Sequence, residues 1–441
     1  MEFKWLETQL GEFIELKRGY DLPNKDRAEG DVEIISSSGS SGFHSKAKVK
    51  GPGVVTGRYG TIGKVFYSES DFWPLNTTLY VKDFKGNHPE FVYYFLKTLN
   101  FLQYSDKAAV PGVNRNHLHK TWIKVPADSS GQRKIAESLS ALDKKITLNT
   151  QINQTLEQMA QALFKSWFVD FDPVIDNALE AGNPIPEPLA ERAAKRQAMW
   201  AADNEAAPER LPAETRRLFP DRFEEDEALG WVPAGWSSGC ISDISEINAK
   251  SWTAKNSPPS VEYVDLANTK NGVIEETACF GFDEAPSRAR RVLSPGDTIV
   301  GTVRPGNRSY ALIGEAHGQL TGSTGFAVLT PKSKELVEFV YLAITRDEVI
   351  EEFARLADGG AYPAIKPSVV TEVKIVIPGY SVLLCFNKLL APMFTKRQSN
   401  FCDNYTLKKL RDTLLPKLLS GELQLPDAEA AVDAALEAET A

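Results

Sequence analysis

Ser257-Pro258-Pro259-Ser260 is the run that comes nearest to a catalytic motif in this chain. A methyltransferase acting on a base amino group holds the flipped base with Asp, Asn or Ser, two prolines and an aromatic ring, and here Ser260 stands in place of the ring. Gly57 to Lys64, GRYGTIGK, has the flavour of a phosphate-binding loop. However, Arg58 occupies the first required glycine position, and Val65 replaces the Ser or Thr that would hold magnesium. A nuclease needs a carboxylate cluster with a following lysine, yet neither Pro220-Asp221 nor Pro426-Asp427 leads to Glu-x-Lys. His44, His88, His117, His119 and His317 form no metal-ligand spacing, even though HLH at 117–119 invites the guess. Cys240, Cys279, Cys385 and Cys402 include no CxxC pair and read as thiols of a reducing cytoplasm, without disulfides or zinc. The pattern is recognition without chemistry, with no metal and no cofactor held by this chain.

The elements that would carry recognition are more legible. Ile135, Leu139, Leu142, Ile146, Asn149, Asn153, Leu156, Ala160, Leu163 and Trp167 alternate by four and three residues, the spacing of a helix packing along another helix. Adding 251 gives Phe386, Leu390, Met393, Arg397, Asn400, Asn404, Leu407, Arg411, Leu414 and Leu418, and eight of the ten keep their residue class. The chain therefore contains an internal repeat. Antiparallel pairing predicts Asn149 opposite Asn404, Asn153 opposite Asn400, and Ile135 opposite Leu418, with the paired amides fixing register. Solvation of Asn149 and Asn153 is the alternative. The stretch Gln132–Trp167 would make a rod of roughly 54 Å at about 1.5 Å per residue. Arg397 and Arg411 interrupt the apolar seam, and Pro392 is expected to kink or restart the second helix.

At 441 residues with 42% hydrophobic content and no apolar run near membrane-spanning length, the chain has room for two or three domains. The amino-terminal MEFKWLETQL lacks a basic region ahead of an apolar core, so no signal peptide is expected and the reading is cytoplasmic. Net charge is −9, but it is unevenly spread. Residues 1–125 carry 17 basic and 14 acidic side chains, and residues 378–419 carry 7 and 2. The acid sits in 169–229, with 7 basic and 15 acidic, and in 420–441, with 6 acidic and none basic.

The fold class expected is mixed α+β, with two tandem similar domains and two long helices forming an antiparallel coiled coil in a pseudo-two-fold repeat. Residues 1–125 form the first domain and 126–168 the first spacer helix. An acidic linker with one helix covers 169–229, a second domain 230–378, the second spacer helix 379–420, and a frayed acidic tail 421–441. Segments recur in order: LSPGDTIVGTVRPGNRSYALI answers GPGVVTGRYGTIGKVFYS, ELVEFVYLAI answers HPEFVYYFLK, and TEVKIVIPG answers TWIKVPA.

Two globular repeats, each followed by a long helix, with helices ending in LEQMAQALFKSWFVDFDPV and LKKLRDTLLPKLLSGEL, resemble the DNA-specificity subunit of a type I restriction-modification enzyme. GRYGTIGK and the KVP and VIP strand ends share that likeness, which covers nearly all of residues 1–421. The resemblance implies a non-catalytic subunit in which each repeat reads one half of a bipartite double-stranded DNA site. It further implies two methyltransferase subunits using S-adenosylmethionine and two motor-nuclease subunits using ATP and magnesium. An acidic coiled-coil scaffold or inhibitor without DNA specificity is the competing reading.

On that resemblance, DNA contacts in the first repeat would come from Arg58, Tyr59, Thr61 and Lys64, from Asn76 and Thr77, and from Asn114, Arg115 and Asn116. Arg pairs bidentately with guanine and Asn with adenine, whereas Thr and Lys more often hold phosphates. In the second repeat the counterparts are Arg304, Asn307, Arg308, Ser323, Thr324, Tyr362 and Lys366, with Arg288, Arg290 and Arg291 as phosphate trackers. Phe164, Trp167, Phe168 and Phe171 are either core or a patch that a methyltransferase subunit covers, and partner binding is the role assigned to them.

Overall fold

The two ends of the first repeat are zipped together, Trp5–Gln9 pairing antiparallel with Trp122–Pro126. The second repeat closes in the same way, Ser237–Cys240 against Lys374–Ile377. These ladders belong to a computed structural model that describes residues 4–106, 112–201, 210–315, 319–360 and 362–437. The chain divides into two compact units, residues 1–150 with 401–441, and residues 151–400.

In the first unit the helix Leu10–Phe13 leads into a four-stranded sheet ordered Glu15–Arg18, Thr78–Asp83, Gly53–Gly57, Val65–Ser68. Gly53–Gly57 is buried along its whole length, so it carries no polar alternation. Val32–Ser36 pairs in parallel with Phe72–Pro74 and antiparallel with Gly39–His44. The helix Pro89–Lys97 buries Phe91, Val92, Tyr94, Phe95 and Leu96. Ile135, Leu139 and Leu142 from one spacer helix, and Leu407, Leu414 and Leu418 from the other, complete that core.

The second unit repeats the plan, with the four-stranded sheet in the same order and the smaller sheet one strand wider. Its sheet runs Ser245–Ile247, Phe326–Pro331, Thr298–Gly301, Tyr310–Leu312, and its parallel pair is Ser260–Val264 with Leu320–Ser323. Ala278–Gly281 and Ala289–Leu293 widen that pair to four strands. The helix Val337–Ile344 answers Pro89–Lys97, and a further helix, Asp347–Leu356, follows it.

The spacer helices are Ser129–Phe168 and Tyr380–Ser420. Pro392 lies inside the second helix without ending it, so the helix does not restart there as the sequence allowed. Phe386 and Leu390, both fully buried, hold that turn by tertiary packing despite the lost backbone donor. Within the first unit Asn149 Nδ2 donates to Asn404 Oδ1 at 3.1 Å. Within the second, Asn400 Nδ2 donates to Asn153 Oδ1 at 2.8 Å, and Asn153 Nδ2 donates to the Arg397 carbonyl at 3.3 Å. Ile146, Leu156, Leu163 and Met393 are half-buried beside this seam.

Three expectations need correction. Phe164, Trp167, Phe168 and Phe171 are only 2, 1, 4 and 7% exposed, packed against Phe219, Trp236, Phe339 and Phe386, so no partner subunit can reach them. The stretch expected to be an acidic linker is folded, with helices Asp172–Ala181, Ala190–Ala201 and Ala213–Arg216 and the hairpin Phe223–Asp226/Gly230–Pro233. Several of its acids are paired within the unit: Asp172 accepts from Arg192 at 2.8 and 2.7 Å, and Asp176 pairs with Arg196. Residues 202–209 of that stretch lie outside the described residues. The acidic tail is not frayed, because Leu425–Glu437 is a helix whose Leu425, Ala428 and Val432 recur every three or four residues and enter the first core. Residues 438–441 lie outside the described residues. Among the described residues no helix is long and apolar enough to cross a membrane.

Candidate nucleic-acid interface

The strand Gly53–Gly57 ends in a turn that only glycine permits. A Cβ at Gly57 would sit 1.9 Å from the Thr61 carbonyl oxygen, and Gly60 and Gly63 have φ of +72° and +84°. The Gly57 amide donates to the Lys64 carbonyl at 3.0 Å, closing the loop. Arg58 and Tyr59 amides then donate to the Thr77 carbonyl at 2.9 and 3.2 Å, and the Arg58 carbonyl accepts from Val113 at 3.0 Å. Backbone bonds thus gather three distant segments, 57–64, 76–77 and 112–116, into one surface.

On that surface the Arg58 guanidinium stacks 4.5 Å from the centre of the Tyr59 ring. Lys64, Arg115 and Asn116 are exposed, while Arg58, Tyr59, Thr61, Asn76, Thr77 and Asn114 are half-buried. Some of these side chains are already committed. Asn114 Oδ1 caps the helix Arg115–His119, accepting from the Asn116 and His117 amides at 3.0 and 3.4 Å. Asn76 donates to Asp21. Thr77 Oγ1 accepts from the Ser37 amide at 3.4 Å. The last bond exposes a contributor that the sequence reading passes over: the serine-rich hairpin between Val32–Ser36 and Gly39–His44 lies against the glycine turn. Its signal is the run SSSGSSG at 36–42, rich in turn formers, whose Ser37 and Ser38 make the turn between the two strands.

The second unit builds the same convergence. Thr302 donates to the Gly325 carbonyl at 2.8 Å and accepts from Ile365 at 2.9 Å, so Thr302, not Arg304, occupies the place of Arg58. Arg304, in the left-handed region with φ of 47°, donates through its amide to the Pro363 carbonyl at 2.7 Å. Its guanidinium lies 5.0 Å from the centre of the Tyr362 ring, and Tyr362 is 73% exposed. Asn307, Thr324 and Lys366 are exposed beside it. Arg288 is exposed next to Thr324, whose amide donates to the Arg288 carbonyl at 2.8 Å. Arg290 lies over Phe282, and Arg291 donates to Ser251 at 3.2 Å, its pKa lowered by burial. Two residues are corrected. Ser323 is 1% exposed with its Oγ accepting from the Gly325 amide at 3.2 Å, so it cannot meet DNA. Arg308 is held within the chain by Asn271, at 3.0 Å, and by Asp347.

Among the described residues neither surface places a nucleophile, a base and an oxyanion donor together; both offer cations, amides and an aromatic ring, the groups that read base edges and phosphates. Residues 3–158 match the family model described as the type I restriction modification DNA specificity domain. The specificity subunit of the type I restriction enzyme HindI from Haemophilus influenzae is 28% identical over 360 residues, 76% of this chain and 77% of that protein. The MjaIX specificity subunit from Methanocaldococcus jannaschii is 24% identical over 351 residues, 77% of this chain and 70% of that protein. A crystal structure of the type I restriction-modification system S subunit from M. genitalium superposes with a TM-score of 0.49 at 15% identity, covering 95% of this chain and 96% of that one. Over residues 3–158 the chain is similar to the type I restriction modification DNA specificity domain, and over about three quarters of its length to specificity subunits of type I restriction enzymes.

Proposed function

We propose that each unit reads one half of a split double-stranded DNA site and that the spacer helices set the unread gap between the halves. The observation that carries this reading is the recurrence, in two units of matching strand order, of one three-segment surface with different side chains. A common scaffold with unlike loops suits two readers of unlike half-sites. Methyltransferase subunits supply S-adenosylmethionine and adenine N6 methylation, motor-nuclease subunits supply ATP hydrolysis, magnesium and cleavage, two of each, and the complex works in the cytoplasm. With Phe164, Trp167, Phe168 and Phe171 buried, the side chains left on the spacer helices for a methyltransferase subunit include Leu148, Met159, Leu384 and Leu389, with Tyr380 and Tyr405, each more than 40% exposed.

The test is duplex binding by the complex of this chain with its methyltransferase subunit across a salt series. Sequence-specific affinity that falls steeply with salt is expected, because phosphate contacts release counterions. Affinity absent at every salt concentration would favour the scaffold reading.

A further inference from the structure

Arg397 and Arg411 interrupt the apolar seam, and neither lies idle there. In the first unit Arg411 Nη1 meets Asp143 Oδ1 at 2.5 Å, joining the two spacer helices, and Tyr94 Oη donates to Asp143 Oδ2 at 2.7 Å. The Tyr94 ring packs 4.8 Å from Tyr93, and Tyr93 lies 5.8 Å from Tyr67. Tyr67 stands on Val65–Ser68, the strand that leaves the glycine turn.

The second unit arrives at the same device from different residues. Arg397 Nη2 meets Glu157 Oε2 at 2.7 Å, again between the two helices, and its guanidinium lies 5.7 Å from the centre of the Tyr341 ring. The Tyr341 ring lies 6.4 Å from Tyr310, and Tyr310 opens the strand Tyr310–Leu312 that leaves the turn holding Arg304 and Arg308. A second strap runs beside it. Gly272 donates to the Tyr310 carbonyl and Asn271 to the Arg308 carbonyl, both at 2.9 Å. Gly272, at φ +80°, sits so close that a Cβ there would lie 2.7 Å from the Tyr341 hydroxyl and 3.2 Å from Arg397 Nη2. Arg397 and Tyr341 are 5 and 0% exposed, so this chain of contacts is packed on all sides and has little freedom to adjust.

We propose that Arg411 and Arg397 are positioning residues, each locking the reading turn of one recognition domain to the spacer helices through an acid–arginine–tyrosine clasp. Each clasp sets discrimination at one half-site without touching DNA. A turn free to tilt by an ångström loses bidentate alignment with base edges while keeping its phosphate contacts, so specificity falls before affinity does. The proposal rests on the split-site reading given above.

The experiment uses the full chain with its methyltransferase subunit in a methylation-free bacterium, read by genome-wide mapping of N6-methyladenine. Omitting the chain tests the split-site reading itself: methylation that persists without it sinks that reading, whatever the variants do. Two double variants remove each ion pair without leaving a lone buried charge, Asp143→Asn with Arg411→Met, and Glu157→Gln with Arg397→Met. Each is expected to raise methylation at sites mismatched in one half by about tenfold, the scale of one base-pair discrimination. The two variants relax different halves, with the gap unchanged, and Arg411→Lys and Arg397→Lys, which keep the ion pairs, retain discrimination. Should a double variant yield no complex, Tyr94→Phe and Gly272→Ala take its place, with the same split expected. Equal relaxation of both halves, a changed gap, or full discrimination in every variant would overturn the proposal.

Discussion

Arg58 stacks on Tyr59 at the tip of the glycine turn, held there by backbone bonds to Thr77 and Val113. Replacing it with alanine leaves those bonds intact and removes one bidentate donor, worth roughly 1–3 kcal/mol of discrimination. Arg58→Ala should therefore relax one half-site and leave the other unchanged, as read from the methylated motif; equal loss at both would contradict two separate readers. Asp172 belongs to stability instead. Burial pushes its pKa up, but hydrogen bonds from Arg192 and Ser166 and the charge of Arg196 outweigh that and leave it lowered. Its contribution is therefore present above the ordinary carboxylate range and is lost as pH falls through the depressed value. Asp172→Asn should cost about 3 kcal/mol near neutral pH and less in acid, measured by denaturant unfolding across pH. Residue types in the turn are legible in sequence, since arginine, asparagine and glycine advertise themselves. Burial is not: Ser323 and Thr324 are neighbours of similar chemistry, yet Ser323 ends the buried strand Leu320–Ser323, paired with Ala289, whereas Thr324 stands exposed in the turn that follows.

At the scale of elements, the seam is the clearest signal, because a repeat of four and three residues across two distant stretches is what helix-on-helix packing demands and what a strand or loop has no reason to keep. The asparagines within it are a register device. Asn404→Leu strands the Asn149 amide against hydrocarbon and should cost about 1–3 kcal/mol in a thermal melt. Asn149→Leu with Asn404→Leu removes both amides and should melt no lower than the parent, yet methylate sites with more than one gap length; a single gap in that variant would show that register is set elsewhere. Four residues inserted near Thr150 would add about 6 Å and somewhat more than one turn of helix, comparable to one or two base-pair steps of DNA. The mapped gap should lengthen or methylation should cease, and an unchanged site would rule out the spacer as ruler. Elements defined by distant packing escape a reading of sequence. The string FKSWFVDF fits a partner-facing patch as well as a core, and Phe219, Trp236, Phe339 and Phe386, which decide the matter, lie about 50 to 220 residues further along. In Leu425–Glu437 the apolar stripe is present, but the surrounding acid masks it.

At the scale of the whole molecule, net charge misleads. The stretches 169–229 and 420–441 carry more negative charge than the net −9 of the whole chain; they fold into their own units, where several carboxylates are spent on intrachain ion pairs. The reading surfaces instead carry exposed Lys64, Arg115, Arg288, Arg304 and Lys366. The internal repeat, visible as recurring segments, proves to be a repeat of strand order, and the same order presents unlike loops twice. Whether those unlike loops read two half-sites is decided by mapping N6-methyladenine across the genome of a methylation-free bacterium that expresses the methyltransferase subunit with and without this chain. A split motif with a fixed unread gap is expected, and it vanishes when the chain is omitted. Methylation of a continuous motif, or methylation indifferent to the chain, would contradict it.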